Sequence, residues 1–175
     1  MHHNILSLTL ATLTTLATLT TAKSTTNTGR AIVTNNCPDP VYLWSVGSSV
    51  GPKQVLDATN PNYTEPLHRD PTTGGIALKI TRNDNGLYDS SPQLSFSYSL
   101  DEPADDRKVW YDLSDVFGDP FAGEAVVVTP EGGEGGSSAC ENICWPDGVA
   151  PTGGSQVRDC GALADVELML CAEGY

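Results

Sequence analysis

Residues Val109 to Val128 read VWYDLSDVFGDPFAGEAVVV, and the fold turns on how this stretch is interpreted. Asp112, Asp115 and Asp119 fall among Leu113, Val116, Phe117 and Phe121, while Gly118, Pro120 and Gly123 interrupt the segment. Proline removes a backbone donor and glycine weakens a helix, so no continuous helix runs through it. What remains is strand, ordered turn, strand, with Trp110 and Tyr111 anchoring the first strand. Acids in turns accept backbone hydrogen bonds. Asp112 is therefore expected in the turn after the Trp110-Tyr111 strand, its carboxylate bonded to backbone amides.

The rest of the chain carries the same signal. AIVTNN, VYLWSVG, IALKITR, LSFSYSL, EAVVVTP and ADVELMLC are short, rich in β-branched or aromatic residues, and mostly bounded by Gly, Pro, Asn or Asp. Val166, Leu168 and Leu170 alternate with Glu167 and Met169, and Phe96, Tyr98 and Leu100 alternate with Ser95, Ser97 and Ser99. A period of two places each set on one side of a sheet. No segment holds a helical period over three turns. These patterns predict an all-β, antiparallel β-sandwich with one apolar and one polar face per sheet.

Residues 1–22 read as a secretory signal peptide, with a threonine-diluted apolar run from Ile5 to Leu19 and small residues up to Ala22. The run is too short and too polar to span a bilayer. Residues 23–29, KSTTNTG, read as an unstructured lead-in, and residues 30–175 as one domain. Removing the leader takes no Asp, Glu, Lys or Arg with it, so the exported protein keeps the formal charge of −13. Such a surface repels nucleic-acid phosphates and anionic lipid, and a soluble monomer is expected.

Cys37, Cys140, Cys144, Cys160 and Cys171 make an odd set, so two bridges leave one thiol over. A zinc site has only His68 to draw on beyond the leader, far from the cysteines in sequence, and no metal is expected. The aspartates after Tyr111 lack the glycine and the distal glutamate of a calcium loop. No dinucleotide or P-loop glycine pattern occurs, and no serine or cysteine carries a nucleophile motif with His68, so no cofactor is expected. Asn62-Tyr63-Thr64 is a strict N-glycosylation sequon in a Pro-rich segment, expected in an exposed loop. Of the tryptophans, Trp44 and Trp110 lie on strands and are expected to pack in the core. Trp145, between Cys144 and Pro146, is the expected exposed ring.

The motifs taken together resemble the thaumatin-like proteins. AIVTNNCPDPVYLWSVG is similar to that family's opening strand, Asn-x-Cys and aromatic strand. WYDLSDVFGDPF resembles its Tyr-Asp-x-Ser signature, and Cys160 and Cys171 match its last two cysteines in spacing. The short length points to the small fungal members, described as antigenic or yeast-phase-specific. The resemblance implies a β-sandwich whose cysteine-rich second domain is reduced to a remnant around Cys140 to Cys160. It further implies bridges Cys37–Cys171 and Cys140–Cys160. Cys144 is then left free, or in competition with Cys140 for Cys160.

Larger members carry an acidic cleft, and some act on β-1,3-glucan, which needs two carboxylates about the glycosidic bond. Asp112 matches the cleft aspartate of the signature. The second aspartate is Phe117 here, the cleft glutamate falls at Ser97, and the cleft arginine falls near Lys79. A ligand cleft would therefore use Asp112, Asp115, Asp119, Lys79 and Trp145. The reading is a secreted, noncatalytic protein of the extracellular space or cell wall, meeting wall polysaccharide or a host or competitor surface. The alternative is a weak β-1,3-glucan hydrolase or glucan-binding module built around Asp112.

Overall fold

The computed structural model describes residues 28–101, 107–132, 140–151 and 156–174, so the expected leader and most of the lead-in lie outside the described residues. Thr28 and Gly29, assigned above to the lead-in, are already tied down: Thr28 Oγ1 donates to the Leu67 carbonyl and Gly29 N to that of Ala162.

In chain order the strands are β1 (Arg30–Asn35), β2 (Val41–Val46), β3 (Gln54–Leu56), β4 (Asn62–Pro66), β5 (Gly75–Thr81) and β6 (Gln93–Leu100). β7 (Lys108–Phe117), β8 (Val126–Glu131), β9 (Ile143–Trp145), β10 (Arg158–Gly161) and β11 (Asp165–Leu170) follow. One sheet runs β4-β1-β11-β8-β9 and the other β10-β7-β6-β5-β2-β3, packed face to face as an all-β sandwich. All pairings between these strands are antiparallel except β1 against β11, which are parallel, with Ala31 opposite Val166 and Asn35 opposite Leu170.

The alternation read from sequence decides which side chains meet between the sheets. Val166, Leu168 and Leu170 lie beside Ala31 and Val33, facing Leu78, Ile80, Phe96 and Leu113 in one buried cluster. Each such side chain contributes roughly 1.5–3 kcal/mol by leaving water. β3, β4, β9 and β10 have no alternation long enough to read. They are held at sheet edges by their neighbours rather than by their own pattern. Asn62 consequently lies on edge strand β4, exposed, rather than in a loop.

β7 is longer than its sequence suggests, and the reason is a bulge. Ser95 pairs with Ser114 but Gln93 pairs with Phe117, so Asp115 and Val116 share the space opposite Leu94. An extra residue re-aims every side chain beyond it. Phe117 thus lies on the outer face, where an unbroken alternation would have turned it inward.

Two bridges close the structure. Cys37, after β1, is bonded to Cys171, after β11, with Cα atoms 5.1 Å apart. Asn35 explains the Asn-x-Cys motif: its Nδ2 donates to the Leu56 and Asp39 carbonyls and its Oδ1 accepts from Cys37 N, 3.0 Å away. Arg82 lies over the Phe121 ring at 4.6 Å and reaches Cys171 Sγ at 3.5 Å. Cys140 is bonded to Cys160, which joins the segment leading into β9 of one sheet to β10 of the other.

Candidate functional site

The outer face of the six-stranded sheet carries the candidate site. Its rows follow from the strand register: Gly75–Ser99–Trp110, Ala77–Ser97–Asp112 and Lys79–Ser95–Ser114. Small residues on β5 and β6 leave a shallow trough, and larger groups rise at its margins. The resulting groove has a volume of about 670 Å³, and among its lining residues are Arg69, Gly74, Ser97, Ser99, Trp110 and Asp112. That lies within the range of natural small-ligand clefts.

One wall is the loop from Arg69 to Gly74, which Asp70 holds in place. Its carboxylate accepts from Ser48 N, Ser48 Oγ, Thr72 N and Thr73 N, at 2.8 to 2.9 Å. Those donors hold the Asp70 carboxyl well below the usual carboxylate range, the Ser48 amide most of all. The opposite wall is Trp110, 38% exposed, whose Nε1 donates to Asp101 Oδ2 at 3.0 Å. The indole is fixed along its edge while part of its surface stays open to the groove.

The five residues expected to form the cleft do not converge. Asp112 does line the groove, but from the middle of β7 and opposite Ser97, not from a turn. Lys79 lies one row away on the same face, hydrogen-bonded to Ser95 Oγ at 2.6 Å and 4.5 Å from the Phe117 ring centre. Burial against that ring lowers its pKa. Asp115 and Asp119 belong to the bulge and the turn after it. Asp115 Oδ2 accepts from Ala150 N at 2.8 Å, and a hydrogen bond with Asp115, helped by burial and like charge, raises the Asp119 pKa.

Trp145 requires the clearest correction. Its side chain is 0% exposed, on the inner face of β9 in the buried cluster, so it presents no ring to a ligand. Flanking Cys and Pro suggest a loop, but β9 pairs with β8 and directs Ile143 and Trp145 inward. The same alternation turns Cys144 out, exposed and unbridged. Cys160 is buried on the inner side, so Cys144 does not compete for it in the folded protein.

Trp110 is the exposed ring, and the expectation that it packs in the core fails; Trp44, 3% exposed, is buried instead on the outer face beside Lys79, its ring meeting Tyr88 edge-on at 6.2 Å. The signal for Trp110 was available: a period of two puts it on the same face as Asp112 and Ser114. Arg69 and the Gly74 turn carried no such signal, because they reach the groove only through the long Asp70 loop.

Chemically the groove offers an aromatic surface, serine hydroxyls, one guanidinium and, among the described residues, one carboxylate. No metal chemistry is suggested by the described side chains. The one cluster of metal-type groups at coordinating separation, Cys37, Glu124 and Cys171, has both sulfurs in a disulfide.

Comparison with known proteins agrees with this fold. The family model described as Blastomyces yeast-phase-specific protein matches residues 18–172. An antigenic thaumatin-like protein of Arthroderma benhamiae is 30% identical over 182 residues, covering 99% of this chain and 86% of the relative. A secreted thaumatin-like protein, calA, of Emericella nidulans is 30% identical over 145 residues, covering 82% of this chain and 77% of that one. Among solved structures, the protein elicitor MoHrip2 of Magnaporthe oryzae superposes with a TM-score of 0.64 at 26% identity, over 82% of this chain and 99% of its own. The thaumatin-like xylanase inhibitor TLXI, at 11% identity and a TM-score of 0.51 over 81% of this chain and 99% of its own, shares the fold. By its sequence match over nearly its whole length and by its two-sheet architecture, the chain belongs to the Blastomyces yeast-phase-specific family of small fungal thaumatin-like proteins.

Proposed function

We propose that this protein is exported and acts without catalysis, recognising carbohydrate of a cell wall, or of a host or competitor surface, through the groove on the six-stranded sheet. The observation that carries the reading is the composition of that groove: a part-exposed tryptophan over serine hydroxyls, with Asp112 as its one carboxylate among the described residues. Aromatic faces and fixed polar groups suit binding of a ring-shaped polar ligand. Cleavage of a glycosidic bond needs a second carboxylate across the bond. Its family position is Ser97, opposite Asp112, and Asp115 and Asp119 are engaged elsewhere. A relative named as secreted and another named as antigenic support the extracellular setting.

The test is a glycan array run beside reducing-sugar release on laminarin. Retention of one or more glycans without release is expected, with Trp110→Ala losing retention while keeping its melting temperature. Release by the wild type that disappears in a folded Asp112→Asn variant would establish the hydrolase reading instead.

A further inference from the structure

Arg69 lines a second cavity as well as the groove. This cavity, about 440 Å³, is bounded by Thr28, His68, Arg69, Leu100, Asp101 and Arg107, with Pro66 and Leu67 behind. Its charge is anomalous for so acidic a protein. Of the Lys and Arg side chains among the described residues, Arg30, Lys53, Arg82, Lys108 and Arg158 are in ion pairs. Lys79 is held by Ser95 and Phe117. Arg69 and Arg107 remain, and both border this one cavity. Arg69 makes only a long contact, 3.4 Å, to the Leu100 carbonyl. His68 stands beside them, its Nδ1 within 3.1 Å of Tyr98 Oη and 3.0 Å of the Pro66 carbonyl oxygen.

Among the described residues one carboxylate lines the same space. Asp101 accepts from Trp110 Nε1, so it is the link between this cavity and the groove rather than a partner of either arginine. The two depressions therefore join at two points, Arg69 and the Trp110–Asp101 contact. A guanidinium with no ion pair among the described residues is matched by a planar oxyanion, which it binds through two parallel hydrogen bonds.

From this arrangement we infer that the cavity between His68, Arg69 and Arg107 is a carboxylate subsite, taking the acid group of a uronate whose neutral neighbouring sugar lies on Trp110. The inference rests on the groove being a carbohydrate site, and it adds the class of ligand. The global charge of −13 narrows that class further. A polyanionic chain would meet long-range repulsion, whereas an isolated acid on a neutral chain reaches two local cations within a screening length of about 8 Å at physiological salt. The ligand is a neutral oligosaccharide carrying a single uronate branch.

The experiment uses the mature, disulfide-bonded protein and isothermal titration with three probes. These are a neutral oligosaccharide with one glucuronate branch, the same compound as its methyl ester, and free glucuronate. Tighter binding of the acid than of the ester is expected, by about 10- to 100-fold, the worth of a charged hydrogen bond. Arg107→Gln should lower the acid's affinity toward that of the ester and leave the ester unchanged. Among the described contacts Arg107 contributes its backbone carbonyl to the fold, to Ala162 N, so that variant keeps its structure. Trp110→Ala should weaken both.

Equal affinity for acid and ester would overturn the subsite and leave the groove reading standing. Acid binding that is unaffected by Arg107→Gln would also overturn it. Free glucuronate binding as tightly as the oligosaccharide, and unmoved by Trp110→Ala, would reduce the cavity to a simple anion site and detach it from the groove. No binding of any probe would overturn the subsite, and glycan retention on the array would then still decide the groove reading.

Discussion

Removing the bridge between Cys37 and Cys171 should cost more than removing the one between Cys140 and Cys160, and the structure sets the difference. The first spans 134 residues and the second 20. In the chain-entropy treatment of cross-links, closing loops of those lengths restricts the unfolded chain by about 5 and about 3 kcal/mol respectively. The longer bridge also carries a native contact, since Arg82 touches Cys171 Sγ while packing on Phe121. Each bridge should be removed as a pair, Cys37→Ala with Cys171→Ala and Cys140→Ala with Cys160→Ala, because a lone partner thiol could reshuffle with exposed Cys144. Equilibrium urea unfolding, followed by tryptophan fluorescence, is the assay. The first pair should lose about 2 kcal/mol more than the second, with a larger rise in m as the released unfolded chain exposes more surface. If the Cys140/Cys160 pair costs as much or more, loop entropy is not what the long bridge contributes. The clamp joining β9 and β10 of opposite sheets would then be the dominant staple.

Trp145→Ala should destabilise by about 3–5 kcal/mol, the cost of emptying a buried aromatic site, in the same unfolding assay. Asp119→Asn tests the Asp115 contact through pH. Because the folded-state pKa of Asp119 is raised, its ionised form is disfavoured, so the penalty exists at neutral pH and fades as pH falls and the proton returns. The variant should melt higher than wild type at pH 7, with the gain gone below about pH 4, where an ordinary aspartate is itself protonated. The Asn62 and Thr64 side chains lie on the same exposed side of edge strand β4, pairing with Thr34 and Ile32. Intact-mass measurement of natively secreted protein should show an N-glycan there, lost in Asn62→Gln without change in melting temperature.

By itself the sequence determined what depends on local periodicity. Period-two runs such as VELML and LSFSYSL have one way to bury their apolar set, so strand identity, facing and the all-β class were legible in them. The family motifs extended this to the cysteines, and Asn35 shows why such a motif works: one buried side chain serves Cys37, Asp39 and Leu56. Only the tertiary structure decided the rest. Ile143 to Trp145 is too short to display a period, and it is a strand because β8 offers it an edge. The burial of Trp145 and exposure of Cys144 follow from that pairing. The β7 bulge, set by pairing with β6, carries Phe117 to the outer face. Arg69 and Arg107 are distant in sequence, and they share a cavity because the loop after β4 meets the segment leading into β7. Periodicity is a property of neighbours along the chain, whereas a binding site is a property of neighbours across it.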